Sequence, residues 1–223
     1  MFTKKRTAMS LVLAAGLFAG LAVTSSDASA CGGAWMEYIE VDHRIQGIAR
    51  AQKQFNKGDV DAAAASVIRM MPHVATLKAK KSKLVERGQR ILAVALARND
   101  GALPVEKQVP DYARGTWMGK SEKDREHNLE WAVGTLRGVN EIKKDDPAAQ
   151  TDLAEAMSKV EKYQGEAREM LERLAKKDLI ATPEGYAALA KLRSKAGDPA
   201  GKKLAMQRCE AMARSASVCR VQS

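Results

Sequence analysis

Residues 147–175, moved forward by 36 positions, fall on 183–211 with eight of 29 positions identical. The identities are Pro147/Pro183, Leu153/Leu189, Ala154/Ala190, Ser158/Ser194, Lys159/Lys195, Gly165/Gly201, Met170/Met206 and Ala175/Ala211. Chance would leave roughly two or three, and a fixed period in the thirties marks stacked helical repeats. One such unit cannot bury its apolar face alone, so its neighbours must stack on it. Composition agrees. Aromatics make up only 4% of the chain, proline is rare, and alanine and leucine are frequent. That mix favours an all-α fold over a β-rich sandwich.

The duplicated part carries its own start signals. Asp146-Pro147, Thr182-Pro183 and Asp198-Pro199 each place an oxygen-bearing cap before a proline at the first helical position. There the missing N–H costs nothing. The signals predict helices over 147–161, 164–177, 183–196 and 199–213, which make two hairpins in series.

Upstream, a 3.6-residue period begins at His43. Ile45, Ile48, Ala49, Gln52 and Phe55 share one face. Asn56-Lys57-Gly58-Asp59 breaks it, with Gly58 suited to a left-handed cap and Asp59 to capping the next helix. That helix carries Val60, Ala63, Ala64, Val67, Ile68 and Met71, and Pro72 ends it. Leu84 to Arg98 is a third helix, with Leu84, Gly88, Ile91, Leu92 and Ala95 inward and Asn99-Asp100-Gly101 as its stop. Residues 100–120 form the one long irregular stretch, holding Tyr112, Arg114 and Trp117. Loops of this length inside a domain are uncommon and are often functional; an insertion pinned by Trp117 is the alternative reading. Ser121 to Asp124 resembles a capping box, followed by Leu129, Ala132, Val133, Leu136 and Val139 on one helical face.

Tyr186, Leu189, Ala190, Gly197-Asp198 and Cys209 stand at the spacing of a known repeat. Leu153-Ala154 repeats the Leu-small pair one unit earlier, and Ala51, Gly58-Asp59, Ala63 and Val67 match it more sparsely near the N-terminus. In this pattern the chain resembles the tetratricopeptide repeat family. It departs where Gly47 and Arg50 replace the aromatic and the leucine, and where Lys202 replaces a small residue. The resemblance implies a right-handed superhelical α-solenoid of about four antiparallel helix hairpins. First helices of such arrays line a concave groove that holds an extended peptide or a partner helix. By first-helix position, Arg50, Gln54, Lys191 and Arg193 are the expected groove residues.

The N-terminus is a separate matter. Lys4, Lys5 and Arg6 precede an apolar run from Met9 to Val23, a polar stretch and Ala28-Ser29-Ala30. This is the pattern of a secretory signal peptide over residues 1–30, in a run short for a membrane span. Residues 31–42 are then an irregular lead-in, 43–213 the repeat domain with an insertion at 100–120, and 214–223 a polar tail. Cys31 would begin the exported chain. With three cysteines in an oxidising compartment, one needs a separate fate. Cys31 is either lipidated, which leaves Cys209 and Cys219 as a disulfide pair, or is itself paired with one of them. Ten residues separate Cys209 from Cys219, so a continuous helix could not join them. A break near Ser215-Ala216-Ser217 would let the tail fold back.

Losing residues 1–30 removes three basic residues and one acid, taking the net charge from +10 to +8. An exported protein seldom meets nucleic acid; the excess cations either simply solvate helix surfaces or attract an acidic protein segment, anionic lipid headgroups or an anionic envelope polymer. Membrane contact is expected only through lipidation of Cys31. Catalytic motifs are not found: there is no phosphate loop, nucleophile elbow or CxxC pair. His43, His73 and His127 lie far apart, and no metal or cofactor is expected. Asp146 is better explained as a helix cap than by acid–base work, Asp145 as its solvated neighbour, and the methionines by packing. The expected protein is therefore non-enzymatic: an exported scaffold, in the periplasm or at the outer membrane of a bacterium, that binds a protein or peptide. The alternative is a lipid-anchored structural or assembly protein of the envelope. An enzyme would have to hide its site around Tyr112, Arg114 and Trp117.

Overall fold

The computed structural model describes residues 43–77, 82–104, 109 and 121–220. The expected signal segment, Cys31, the 31–42 lead-in and Tyr112, Arg114 and Trp117 lie outside the described residues. Among the described residues there are eight α-helices: α1 His43–Asn56, α2 Val60–Met70, α3 Lys83–Arg98, α4 Glu122–Ile142, α5 Pro147–Ser158, α6 Gln164–Lys176, α7 Pro183–Lys195 and α8 Pro199–Met212. None of them is long and apolar enough to cross a membrane.

The caps do what their residue types dictate. Asp59, Asp146, Thr182 and Asp198 accept from the backbone N–H groups of Ala62, Ala148, Gly185 and Gly201. Each satisfies a donor that the helix itself leaves unpaired, which stabilises the start by about 1 kcal/mol. Ser121 accepts from Asp124 N–H at the start of α4. Gly58 has φ +87°, the left-handed conformation its turn requires. Two helix ends differ from expectation. Helix α2 stops at Met70, before Pro72, because the residue preceding a proline is pushed out of the helical region. Helix α5 stops at Ser158 rather than 161, and a 3-10 turn at Glu161–Tyr163 leads into α6.

The helices pack as sequential pairs, α1 with α2, α3 with α4, α5 with α6 and α7 with α8. Each second helix also packs on the next first helix, and the first helices touch in series: α1 on α3, α3 on α5, α5 on α7. This is an arrangement of adjacent hairpins. The Leu-small pairs serve it, since Leu153, Ala154, Leu189 and Ala190 are all buried. Between the first two pairs, Gln89 is buried and donates to the carbonyls of Val74 and Leu77 at 2.7 and 2.8 Å. The Val74 carbonyl also accepts from Leu77 N–H at 3.4 Å, so Gln89 adds a second donor there and ties the loop to α3 through the Leu77 carbonyl.

Two faces depart from the periodic reading. In α1 the buried residues are Ile48 and Ala51, while Ile45 is 57% exposed. The C-terminal half of α3 and most of α5 are enclosed on every side: residues 91–97 and 151–158 are all buried, while Lys83 and Arg87 in the first half of α3 are exposed. These two stretches sit between neighbours in the series, which leaves them no free face for solvent.

Candidate functional site

Enclosing α5 takes Asp152 and Glu155 out of water. Both carboxylates are almost fully buried. Burying an ionised group is costly unless it is paired and hydrogen-bonded. Helix α3 supplies the partners from 62 and 57 residues away in sequence. Arg90 Nε donates to Asp152 at 2.6 Å. Arg98 donates through Nε and Nη2 to the two oxygens of Glu155, at 2.9 and 3.2 Å. Its third nitrogen, Nη1, reaches Glu184 of α7 at 3.0 Å. The guanidinium also lies over the Phe55 ring, 5.8 Å from the centroid. One arginine thus joins the first helices of all four pairs.

Burial opposes the charge on Arg98, but Glu155 and Glu184 outweigh it and hold the guanidinium protonated above its ordinary range. Burial also raises the Glu184 carboxyl, with Arg98 opposing. Burial pushes the Asp152 carboxyl up to about 6, against the pull of Arg90. The sign for stability follows. Unfolded, the group titrates near 4, so the folded state holds the proton more tightly. The resulting stabilisation is present at low pH and is lost as pH rises from about 4 through about 6, by at most about 3 kcal/mol. A carboxyl-carbon NMR titration will give Asp152 a midpoint near 6. A midpoint at or below 4 would mean that Arg90 overrides burial.

Above this network opens a cleft of about 550 Å³. Its floor is the C-terminal end of α3, with Glu155 and Ser158 of α5, Lys159 just after it, and Glu184 and Lys191 of α7. Gly58 of the α1–α2 turn and Val60 at the start of α2 close one side. The C-terminal tail closes another, through Ser217, Val218 and Arg220. The tail reaches there because α8 ends at Met212 and Cys219 is bonded back to Cys209, with Cα atoms 5.8 Å apart. Arg214 of the tail donates to the Lys57 carbonyl at 3.4 Å, meeting a turn 157 residues earlier.

The cleft's charges divide into paired and unpaired. Arg98 is neutralised by Glu155 and Glu184, and Lys159 by Asp100 at 2.7 Å. Lys191 and Arg220 are exposed and take part in no ion pair among the described residues. Two cations are therefore available to an incoming anion.

Of the expected groove residues, Lys191 lines the cleft. Arg193 faces elsewhere: it forms a two-pronged pair with Glu172 of α6, at 2.7 and 2.6 Å, and donates to the Gly201 carbonyl of α8. Gln54 accepts from Ser66 of α2 at 2.9 Å, inside its own hairpin. Arg50 is exposed on α1 and does not line the cleft. Arg98, Glu155, Glu184 and Arg220 are additions to the expected set. No local pattern marks the first three, because their partners are distant in sequence; for Arg220 the nearby cysteine spacing is the available signal. Among the described residues, no three His, Cys, Asp or Glu side chains converge as a metal site. Comparison of the chain with known protein families, curated proteins and solved structures yields no match.

Proposed function

We propose that this chain is an exported, non-enzymatic binding module whose cleft takes an acidic segment or free carboxylate terminus of a peptide or protein partner. The observation that carries the reading is the charge arrangement: the unpaired charged groups at the cleft, Lys191 and Arg220, are both cations. The proposed array is tetratricopeptide-like, a right-handed superhelix with its first helices facing the ligand. Its setting is the periplasm or outer membrane of a bacterium. A lipid anchor on Cys31 would tether the same module without altering the cleft.

Fluorescence anisotropy with a Glu-rich peptide ending in a free carboxylate tests this. Wild-type protein should bind it, and added salt should weaken binding. Lys191→Glu with Arg220→Glu should weaken it about tenfold or more, since two attractions become repulsions. Equal binding by both proteins would sink the proposal.

The tail gives a second expectation. Cys209→Ser removes a link that closes a short loop, and such links stabilise by about 2–3 kcal/mol. Thermal unfolding should fall accordingly, and the peptide should bind more weakly because Arg220 is no longer held at the cleft. Unchanged affinity after complete reduction would remove the tail from the site.

A further inference from the structure

A second cleft, of about 490 Å³, lies at the end of the bundle where successive pairs are joined. The α4–α5 turn and the α6–α7 turn flank it. Met170, Leu174 and Leu179 form its apolar part, and Arg173, Lys176 and Lys177 its basic part. None of these three cations is in an ion pair among the described residues, and Asp145 is the one carboxylate in the lining. Arg173 and Lys176 gain from the carbonyl end of α6. Lys177 lies past the last helical residue, and Lys144 follows α4 on the facing turn. On the wall, the Oδ1 of Asn140 is buried with no hydrogen-bond partner.

The apolar surface around this end is also unusual. Six large hydrophobic side chains are exposed among the described residues, and four of them belong here: Ile45, Leu77, Ile142 and Leu179. Contacts tie their segments to one end of the bundle. Met70 abuts Gly47 near the start of α1. Gln89 holds the Leu77 carbonyl, and Lys143 bridges to Glu86 near the start of α3 at 3.0 Å. Exposed hydrophobics scattered singly need no explanation, but grouped at one end beside unpaired cations they match the chemistry of a lipid interface.

We propose that this end docks on an anionic lipid surface, with headgroup phosphates at Arg173, Lys176 and Lys177 and with Ile142 and Leu179 dipping among the acyl chains. Charge complementarity favours this occupant, since each unpaired cation near such a surface adds to the attraction. The apolar tips need a partner that free phosphate does not supply. The end is distinct from the peptide cleft, and the inference does not rest on that cleft's ligand.

The test is co-sedimentation of the exported chain, carrying Cys31→Ser so that no acyl chain anchors it. Vesicles are phosphatidylcholine alone or mixed equally with phosphatidylglycerol. The chain should pellet with the anionic vesicles and not with the neutral ones. Lys176→Glu with Lys177→Glu should reduce binding roughly tenfold or more, and Leu179→Asp should reduce it at unchanged net binding of the acidic peptide. Both changes are at exposed positions, and a circular-dichroism melt checks that the fold persists. Lys191→Glu should leave pelleting unchanged. The proposal is overturned if anionic vesicles fail to pellet the chain, or if the Lys176, Lys177 and Leu179 variants pellet like wild type. It is equally overturned if inorganic phosphate or an acidic peptide binds at these lysines while vesicles do not.

Discussion

Arg98→Ala will cost about 3–5 kcal/mol of unfolding free energy, because it strands a buried carboxylate. Glu155 is 3% exposed and its oxygens are both held by the Arg98 fork. Removing the fork leaves Glu155 without its counter-ion, and Glu184 loses its partner too. Urea unfolding at neutral pH measures the cost. Arg98→Lys should recover part of it, since an ammonium restores the charge but not three directed contacts. The deciding variant is Arg98→Met with Glu155→Gln. If the loss comes from an unpaired buried charge, this double change should be less damaging than Arg98→Ala alone. A double variant less stable than the single would locate the loss in packing.

Gly101→Ala is the second large effect, about 2–5 kcal/mol. Gly101 has φ +84°, where a side chain costs roughly 1–2 kcal/mol. A Cβ there would also lie 2.4 Å from the Arg125 carbonyl oxygen, a backbone atom that no rotamer change can move. Overpacking of that kind adds about 1–3 kcal/mol. The same helix also holds this turn by a hydrogen bond, as the buried Asn128 donates to the Gly101 carbonyl at 2.8 Å. Gly58→Ala is the control. Its φ is similar, at +87°, but nothing lies within 4 Å of the added carbon. Only the conformational cost should remain there. Equal losses at both positions would show that the close approach to α4 contributes nothing.

These two residues also mark where sequence reading stops. Asn99-Asp100-Gly101 is legible as a helix stop because the residue types alone demand it. That the turn then rests against α4 depends on a contact with Arg125, and no local pattern carries it. Likewise the helices follow from Asp-Pro and Thr-Pro starts and from the apolar period, which act within a few residues. The full enclosure of α5 does not. Asp152 and Glu155 read as a polar face until α3 supplies arginines 62 and 57 residues away.

The candidate site divides the same way. First-helix position points to Lys191, which lines the cleft. It points equally to Arg193, yet two residues along a helix is more than half a turn, so that side chain faces α6 and α8 instead. Arg220 comes from a tail with no period. It reaches the cleft because a disulfide folds the chain back after α8, and the break around residues 215–217 needed for that is legible in the sequence.

The central claim is that one acidic chain end sits over α3, α5 and α7 beneath the C-terminal tail. Backbone amide NMR during titration with the Glu-rich, free-carboxylate peptide addresses it directly. The largest shift changes should fall at Asn99, Lys159, Lys191 and Val218, which lie on four separate segments around one cleft. They should saturate together and vanish in the Lys191→Glu, Arg220→Glu variant. Shifts confined to the α4–α5 and α6–α7 turns, or no saturating shifts at all, would contradict it.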